Sequence, residues 1–291
     1  MADPIRIWKY HGTGNDFVML EDLADEHPLA EAFVAAVCDR HTGIGADGVI
    51  RVTRGQADGE DFFMDYRNAD GSLAEMCGNG IRCLGKLVHE RGHTTATELE
   101  VGSRGGTKHL SLDVRDGVVG SVTVGMGPAL FPRGQIPMDG PADQPFLTEP
   151  FEVDGRTFKA SALSMGNPHL VLFVEDDPAR IDVRTLGPRI EHDPRFPQKT
   201  NVEFVAVEDG AVRVRVWERG SGETMACGTG ACAALVAANE AGFVPARAEV
   251  RFPGGTLIVE RTQDEIFLIG PAERVFEATL DEAWLAAKGL L

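Results

Sequence analysis

Short runs of alternating or continuous apolar positions, bounded by Gly, Asp and Asn, recur through the first part of the chain. They predict strands over 5–10, 17–20, 48–53, 61–67, 97–103, 109–115 and 118–124. A helical period replaces the strand period over 29–39 and 78–91. Residues 125–150 break the rhythm with six prolines and four glycines, and read as the crossing between two halves. The second half repeats the first in kind. Strands fit 156–164, 169–174, 201–207, 211–218, 247–252, 256–260 and 265–269, and helices fit 178–187, 228–241 and 281–288.

The repetition is also literal. Sliding the sequence by 150 residues brings Cys77, Gly78 and Gly80 onto Cys227, Gly228 and Gly230, and Glu90 and Gly92 onto Glu240 and Gly242. A shift of 152 brings Gly14–Asn15 onto Gly166–Asn167. Two matched segments at nearly one offset mark a duplicated domain, since a solenoid has a far shorter period. The expected layout is an N-terminal half over 1–130 carrying Cys77, a crossing over 131–149, and a C-terminal half over 150–275 carrying Cys227. The segment 276–291 is expected to pack back on the N-terminal half.

Composition narrows the function. A net charge of −17 repels phosphate backbones and anionic membranes, so neither nucleic acid nor a membrane surface is an expected partner. The opening "MADPIRIWKYHG" lacks a basic-then-apolar leader, no apolar run is long enough to span a bilayer, and a cytoplasmic location is expected. Five cysteines do not make a disulfide framework. Cys38, Cys83 and Cys232 fall within helical patterns and read as buried filler.

Cys77 and Cys227 read differently, because each stands immediately before a helix among Gly, Asn and Thr. A helix start leaves its first N–H groups without intrahelical acceptors and its dipole positive. That field favours thiolate over thiol, and the same N–H groups bind a carboxylate. Two duplicated halves facing each other would set the two sulfurs on either side of one carbon. One would then remove a proton from one face while the other returned a proton to the opposite face, with no cofactor and no metal.

The segments "NADGSLAEMCGNGIRC" and "ERGSGETMACGTGACAA" resemble the two signatures of the diaminopimelate epimerase family, and "KYHGTGNDFVML" and "SMGNPHLVLF" resemble its other hallmark stretches. The resemblance implies an α/β fold of two pseudo-symmetric halves, each a mixed β-sheet wrapped around a central helix, with the active site in the cleft between them. It implies cofactor-independent interconversion of LL- and meso-2,6-diaminopimelate in lysine and peptidoglycan precursor synthesis. Cys77 would donate and Cys227 accept the proton from LL to meso, with the roles exchanged in reverse. Asn15, Asn68, Asn167, Asn201, Glu218 and Arg219 would hold the substrate. Gly78–Asn79 and Gly228–Thr229 would offer backbone N–H groups to the reacting carboxylate. His169 and Glu218 would adjust the thiol pKa values. Glycine at 48 stands where some members carry glutamine, and Phe276 stands about where some members carry a tyrosine linked to dimerisation, so the resemblance implies a homodimer.

Two motifs mislead. "GIGADG" (43–48) satisfies the dinucleotide pattern but leads into a strand, not a helix. "HERGH" (89–93) satisfies H-E-x-x-H, yet Gly92 reads as a helix cap that parts the histidines. The rival functions are a proline- or hydroxyproline-type racemase and, in another class, a zinc or redox module built on Cys77/Cys83 and Cys227/Cys232.

Overall fold

The structure is a computed structural model that describes residues 4–290. The chain runs β1 (Arg6–Gly12), β2 (Asn15–Glu21), α1 (Glu31–Cys38), β3 (Gly48–Arg54), β4 (Phe62–Asn68), α2 (Gly78–Glu90), β5 (Glu98–Ser103), β6 (Lys108–Arg115) and β7 (Val118–Gly127). It continues through β8 (Phe146–Val153), β9 (Arg156–Ser164), β10 (Pro168–Phe173), α3 (Val183–Glu191), β11 (Asn201–Glu208), β12 (Ala211–Glu218) and β13 (Gly222–Thr224). Then follow α4 (Gly228–Glu240), β14 (Arg247–Phe252), β15 (Gly255–Arg261), β16 (Ile266–Gly270), β17 (Glu273–Thr279) and α5 (Glu282–Ala287). Two compact units result. The first holds the chain up to Val124 together with the stretch from Pro271 onward, and the second holds Gly125–Gly270.

Each unit has the same strand order. In the first, β1–β2 is antiparallel, β2–β3 parallel, β3–β4 antiparallel, β4–β5 parallel, and β5–β6 and β6–β7 antiparallel. In the second, β9, β10, β11, β12, β14, β15 and β16 repeat that series of directions. The outer neighbour also recurs: β17 lies antiparallel to β1, and β8 antiparallel to β9.

Inside each sheet runs one helix. α4 packs on every strand of the second unit's series, and Ala231–Ala238 on it are fully buried. A helix that is apolar all round belongs inside a core, and seven strands wrap this one. α2 plays the same part in the first unit, buried from Gly78 to Val88. β10 and β11 are correspondingly buried on both faces over most of their length, as strands covered on two sides are. On the outer face α1 and α5 bury Val34, Val37, Cys38 and Leu285 with Ile7, Val18 and Val49. In the second unit α3 buries Val183, Leu186 and Ile190 with Phe151, Leu170 and Phe204.

Three local expectations change. The helix expected over 178–187 is a 3-10 turn at Pro178–Arg180 followed by α3, because Ile181 is extended and Asp182 caps a new start through Thr185 N–H. The Pro/Gly-rich stretch seats Ile136, Met138 and Phe146 in the second unit's core. β17 carries no buried residue, its Val275 and Phe276 stand exposed among charges without alternation, and its pairing with β1 defines it. No helix among the described residues is long and apolar enough to cross a membrane.

Candidate active site

The first helix mouth is built by a hairpin. β1 and β2 pair Gly12 with Asn15 across Thr13 and Gly14, both at positive φ (51° and 81°). This is the two-residue turn whose twist suits adjacent strands, and it delivers Asn15 to the start of α2. Cys77 is extended (φ −138°, ψ 118°) and the helix begins at the next residue. Its Sγ–H donates to Asn15 Oδ1 at 3.5 Å, and Asn79 Nδ2 donates to the same oxygen at 3.2 Å. Asn15 Nδ2 in turn donates to Asp47 Oδ2 at 2.7 Å, so the amide is held with its oxygen toward the thiol. Arg40 fixes Asp47 at 2.8 Å and, with Lys9, grips Asp16. Beneath the mouth, fully buried Arg82 donates to Gly78 O at 2.9 Å and Asn79 Oδ1 at 3.1 Å.

The second mouth repeats this geometry with different chemistry. Cys227 (φ −127°, ψ 123°) precedes α4, and its Sγ accepts from Gly230 N–H at 3.4 Å. Thr229 Oγ1 lies 3.5 Å from that sulfur and accepts from Asn167 Nδ2 at 3.4 Å. His169 Nε2 is 3.0 Å from Asn167 Oδ1, and His169 Nδ1 is 2.7 Å from Glu203 Oε1. Glu218 accepts from the Thr224 hydroxyl, and its carboxylate acts electrostatically on the Cys227 thiol.

Electrostatics correct one expectation. A helix start alone lowers a thiol pKa, but burial and the Glu218 carboxylate push Cys227 well up, against the opposing Thr229 and Gly230 bonds. Burial likewise raises Glu218, partly offset by the Thr224 hydrogen bond. Burial pushes Cys38 and Cys83 up to about 12, as core filler requires, and Cys232 is equally buried.

The remaining expected site residues are placed as follows. Asn68 donates to Ser72 Oγ at 3.0 Å within a turn whose Gly71 has φ +89°. Asn201 is buried and spends its amide on Pro168 O (2.8 Å) and Arg219 N–H (2.9 Å), a brace that fixes where Arg219 leaves β12. The exposed Arg219 side chain reaches Gln198 O at 3.1 Å. Gly48 allows β3 to lie against β4: a Cβ there would meet Arg67 O at 2.4 Å and Tyr66 Cε2 at 2.6 Å. No larger residue fits this backbone.

Four residues of these mouths escaped the sequence reading: Asp47, Arg82, Glu203 and Thr224. Arg82 and Glu203 each left a signal, a lone charge inside an apolar run ("GIRCL", "NVEFV"). Asp47 and Thr224 left none, since both sit in ordinary turn-rich polar sequence. Of the two misleading motifs, 43–48 opens strand β3, and α2 ends at Glu90 with Gly92 at φ +76°, so His89 and His93 do not share a helical face. Among the described residues no three metal-ligating side chains gather.

The sequence model of the family described as diaminopimelate epimerase matches residues 7–132 and 161–275. A diaminopimelate epimerase of Acetivibrio thermocellus is 42% identical over 283 residues, covering 95% of this chain and 99% of the relative. One from Pelotomaculum thermopropionicum is 44% identical over 273 residues, covering 92% and 96%. Among solved structures, a probable proline racemase from Agrobacterium radiobacter K84 superposes with a TM-score of 0.72 at 14% identity, covering 96% of this chain and 93% of that one. That likeness establishes the shared mixed α/β fold.

Proposed function

The chain belongs to the diaminopimelate epimerase family, and from that premise we propose that it is an isomerase interconverting LL- and meso-2,6-diaminopimelate with Cys77 and Cys227 as its two bases. The observation that carries this reading is the repeated helix mouth. In each unit a cysteine precedes the helix, and the side chain two residues on is bonded to the asparagine of a Gly-Asn pair.

The chemistry balances in protons. One thiolate takes the α-proton and becomes a thiol, and the electron pair left on the α-carbon spreads into the α-carboxylate. The other thiol gives its proton to the opposite face and becomes a thiolate. The centre is inverted, and the protein holds the same number of protons, exchanged between two sulfurs. The N–H groups of Gly78–Asn79 and Gly228–Thr229, lacking acceptors in their own helices, bind the carboxylate as its charge grows, which is the larger part of the catalytic task. Cys77 as the thiol and Cys227 as the thiolate serve LL to meso; the opposite protonation state serves meso to LL.

Asn15, Asn68, Asn167 and Asn201 serve the polar heads of the substrate. Glu218 pairs an ammonium and Arg219 makes a forked contact with a carboxylate. The activity requires no cofactor and supplies lysine and peptidoglycan precursors in the cytoplasm, whose reducing conditions keep both thiols available. Val275 and Phe276, exposed on β17, fit pairing with a second copy, and gel filtration reads that assembly. The test of function is incubation of purified protein with LL-diaminopimelate, followed by chiral separation. Appearance of the meso form without added cofactor is expected. Inversion of trans-4-hydroxyproline without conversion of diaminopimelate would contradict the assignment.

A further inference from the structure

The duplicated frame allows one half to be read against the other, position by position. Matching Asn15 with Asn167 sets Phe17 on β2 against His169 on β10. The parallel pairings then decide the next strand: Met19 pairs with Ile50, and Val171 with Glu203. Ile50 and Glu203 therefore occupy equivalent places. Both lie under the glycine three residues past the cysteine. A Cβ on Gly80 would meet Ile50 Cδ1 at 2.5 Å, and one on Gly230 would meet Glu203 Oε1 at 2.8 Å. One mouth thus rests on Phe17 and Ile50, the other on His169 and Glu203, and all four are fully buried.

The apolar pair shows that the frame folds without an acid and an imidazole at these places. The polar pair is a poor source of stability, since buried ion pairs seldom repay their desolvation. Glu203 Oε2 moreover has no hydrogen-bond partner among the described residues, which costs more. What the pair does is order the mouth above it. Asn167 gives its amide N–H to Thr229, so its oxygen faces His169 and requires a donor, which places a proton on Nε2. His169 Nδ1 then shares one proton with Glu203 Oε1 across 2.7 Å.

We propose that Glu203 is a positioning residue. Acting through His169, it fixes the tautomer and orientation that turn Asn167 toward Thr229 and so define the surroundings of Cys227. The charged and titratable groups facing it are His169 from β10, Glu218 from β12 and Cys227 from the mouth of α4. Burial raises the Glu203 carboxyl, opposed by His169, in keeping with a proton held between the two. The arrangement parallels the orienting acid of a catalytic triad, which sets an imidazole without touching substrate. The catalytic half of this inference rests on the function proposed above.

The test combines a mutant cycle with imidazole 15N NMR. Glu203→Gln keeps size and a hydrogen bond but shares no proton with Nδ1; kcat is expected to fall about tenfold with KM within about twofold. In a His169→Phe background, adding Glu203→Ile recreates the apolar pair of the first unit and is expected to fold and to cost no further kcat. In the unmodified protein the His169 ring is expected to carry a proton on Nε2. An unchanged kcat in Glu203→Gln, an equal loss from Glu203→Ile in the His169→Phe background, or a bare Nε2 would each overturn the proposal. Should Glu203→Gln fail to fold, the other two measurements decide. Absence of epimerisation in the unmodified protein would fail the functional reading alone, and the NMR result would still test how His169 is held.

Discussion

Asn79 donates its side-chain amide to Asn15 Oδ1 at 3.2 Å, and the equivalent pair in the second unit, Asn167 and Thr229, meets at 3.4 Å. A Gly-Asn hairpin or turn is thereby tied to the second residue of the helix that follows each cysteine. The contact explains why two distant short motifs repeat together at nearly one offset: they build one helix mouth in each unit.

The cysteines divide by place. Cys77→Ala and Cys227→Ala are each expected to lower kcat by about a thousandfold or more, the scale of a lost general acid or base. Cys38→Ala, at the buried end of α1, is expected to retain activity within a few fold after allowance for stability. Steady-state rates on the three purified variants check this.

Asp47 holds the Asn15 amide from behind. Asp47→Ala is expected to raise KM about fivefold, the worth of one ordered hydrogen bond, while kcat changes little. A fall in kcat at constant KM would place Asn15 in the chemical step instead.

The Glu218 carboxylate is one of the two main influences raising the Cys227 thiol. Glu218→Gln removes that charge while leaving a hydrogen-bonding group. The pH midpoint for alkylation of Cys227, read in a Cys77→Ala background, is therefore expected to move to lower pH. A midpoint that stays or rises would leave burial as the whole cause.

Acid stability has a local signature. Burial favours the neutral form of Asp16, but hydrogen bonds and charge from Arg40 and Lys9 overcome it and hold the carboxyl down at about 2, from 3.8. Because the folded value lies below the unfolded one, the stabilisation is present above about pH 4 and is lost as pH falls toward 2. Discounted for the exposure of Arg40, it is on the order of 1–2 kcal/mol. Urea unfolding should show Asp16→Asn less stable by that amount at pH 5, with the gap closing as the solution is acidified.

The sequence was legible where a signal is periodic or duplicated. Apolar patterning located most strands of both units, though not β8, which begins inside the expected crossing, nor the three-residue β13, and the repeated Cys-Gly-x-Gly gave both helix mouths. It was silent where structure comes from pairing alone: β17 buries nothing, and only its register against β1 makes it a strand. Helix-dipole reasoning also misjudged Cys227, because depth of burial and the approach of Glu218 arise from tertiary packing and leave no local mark. Glu203 shows the middle case. An acid inside "NVEFV" is visible, but only the pairing with β10 reveals that it lies beneath Cys227 and occupies the place of Ile50.

Two sulfurs exchanging one proton each with the α-carbon is the central claim, and the fate of that hydrogen tests it most directly. LL-diaminopimelate is incubated with the protein in deuterium oxide, and product and recovered substrate are analysed at the first turnovers. The account predicts one deuterium at the inverted α-carbon of the meso product and almost none in the remaining LL form. Equal early labelling of substrate and product, or inversion that keeps the original hydrogen, would mean a single base and would contradict it.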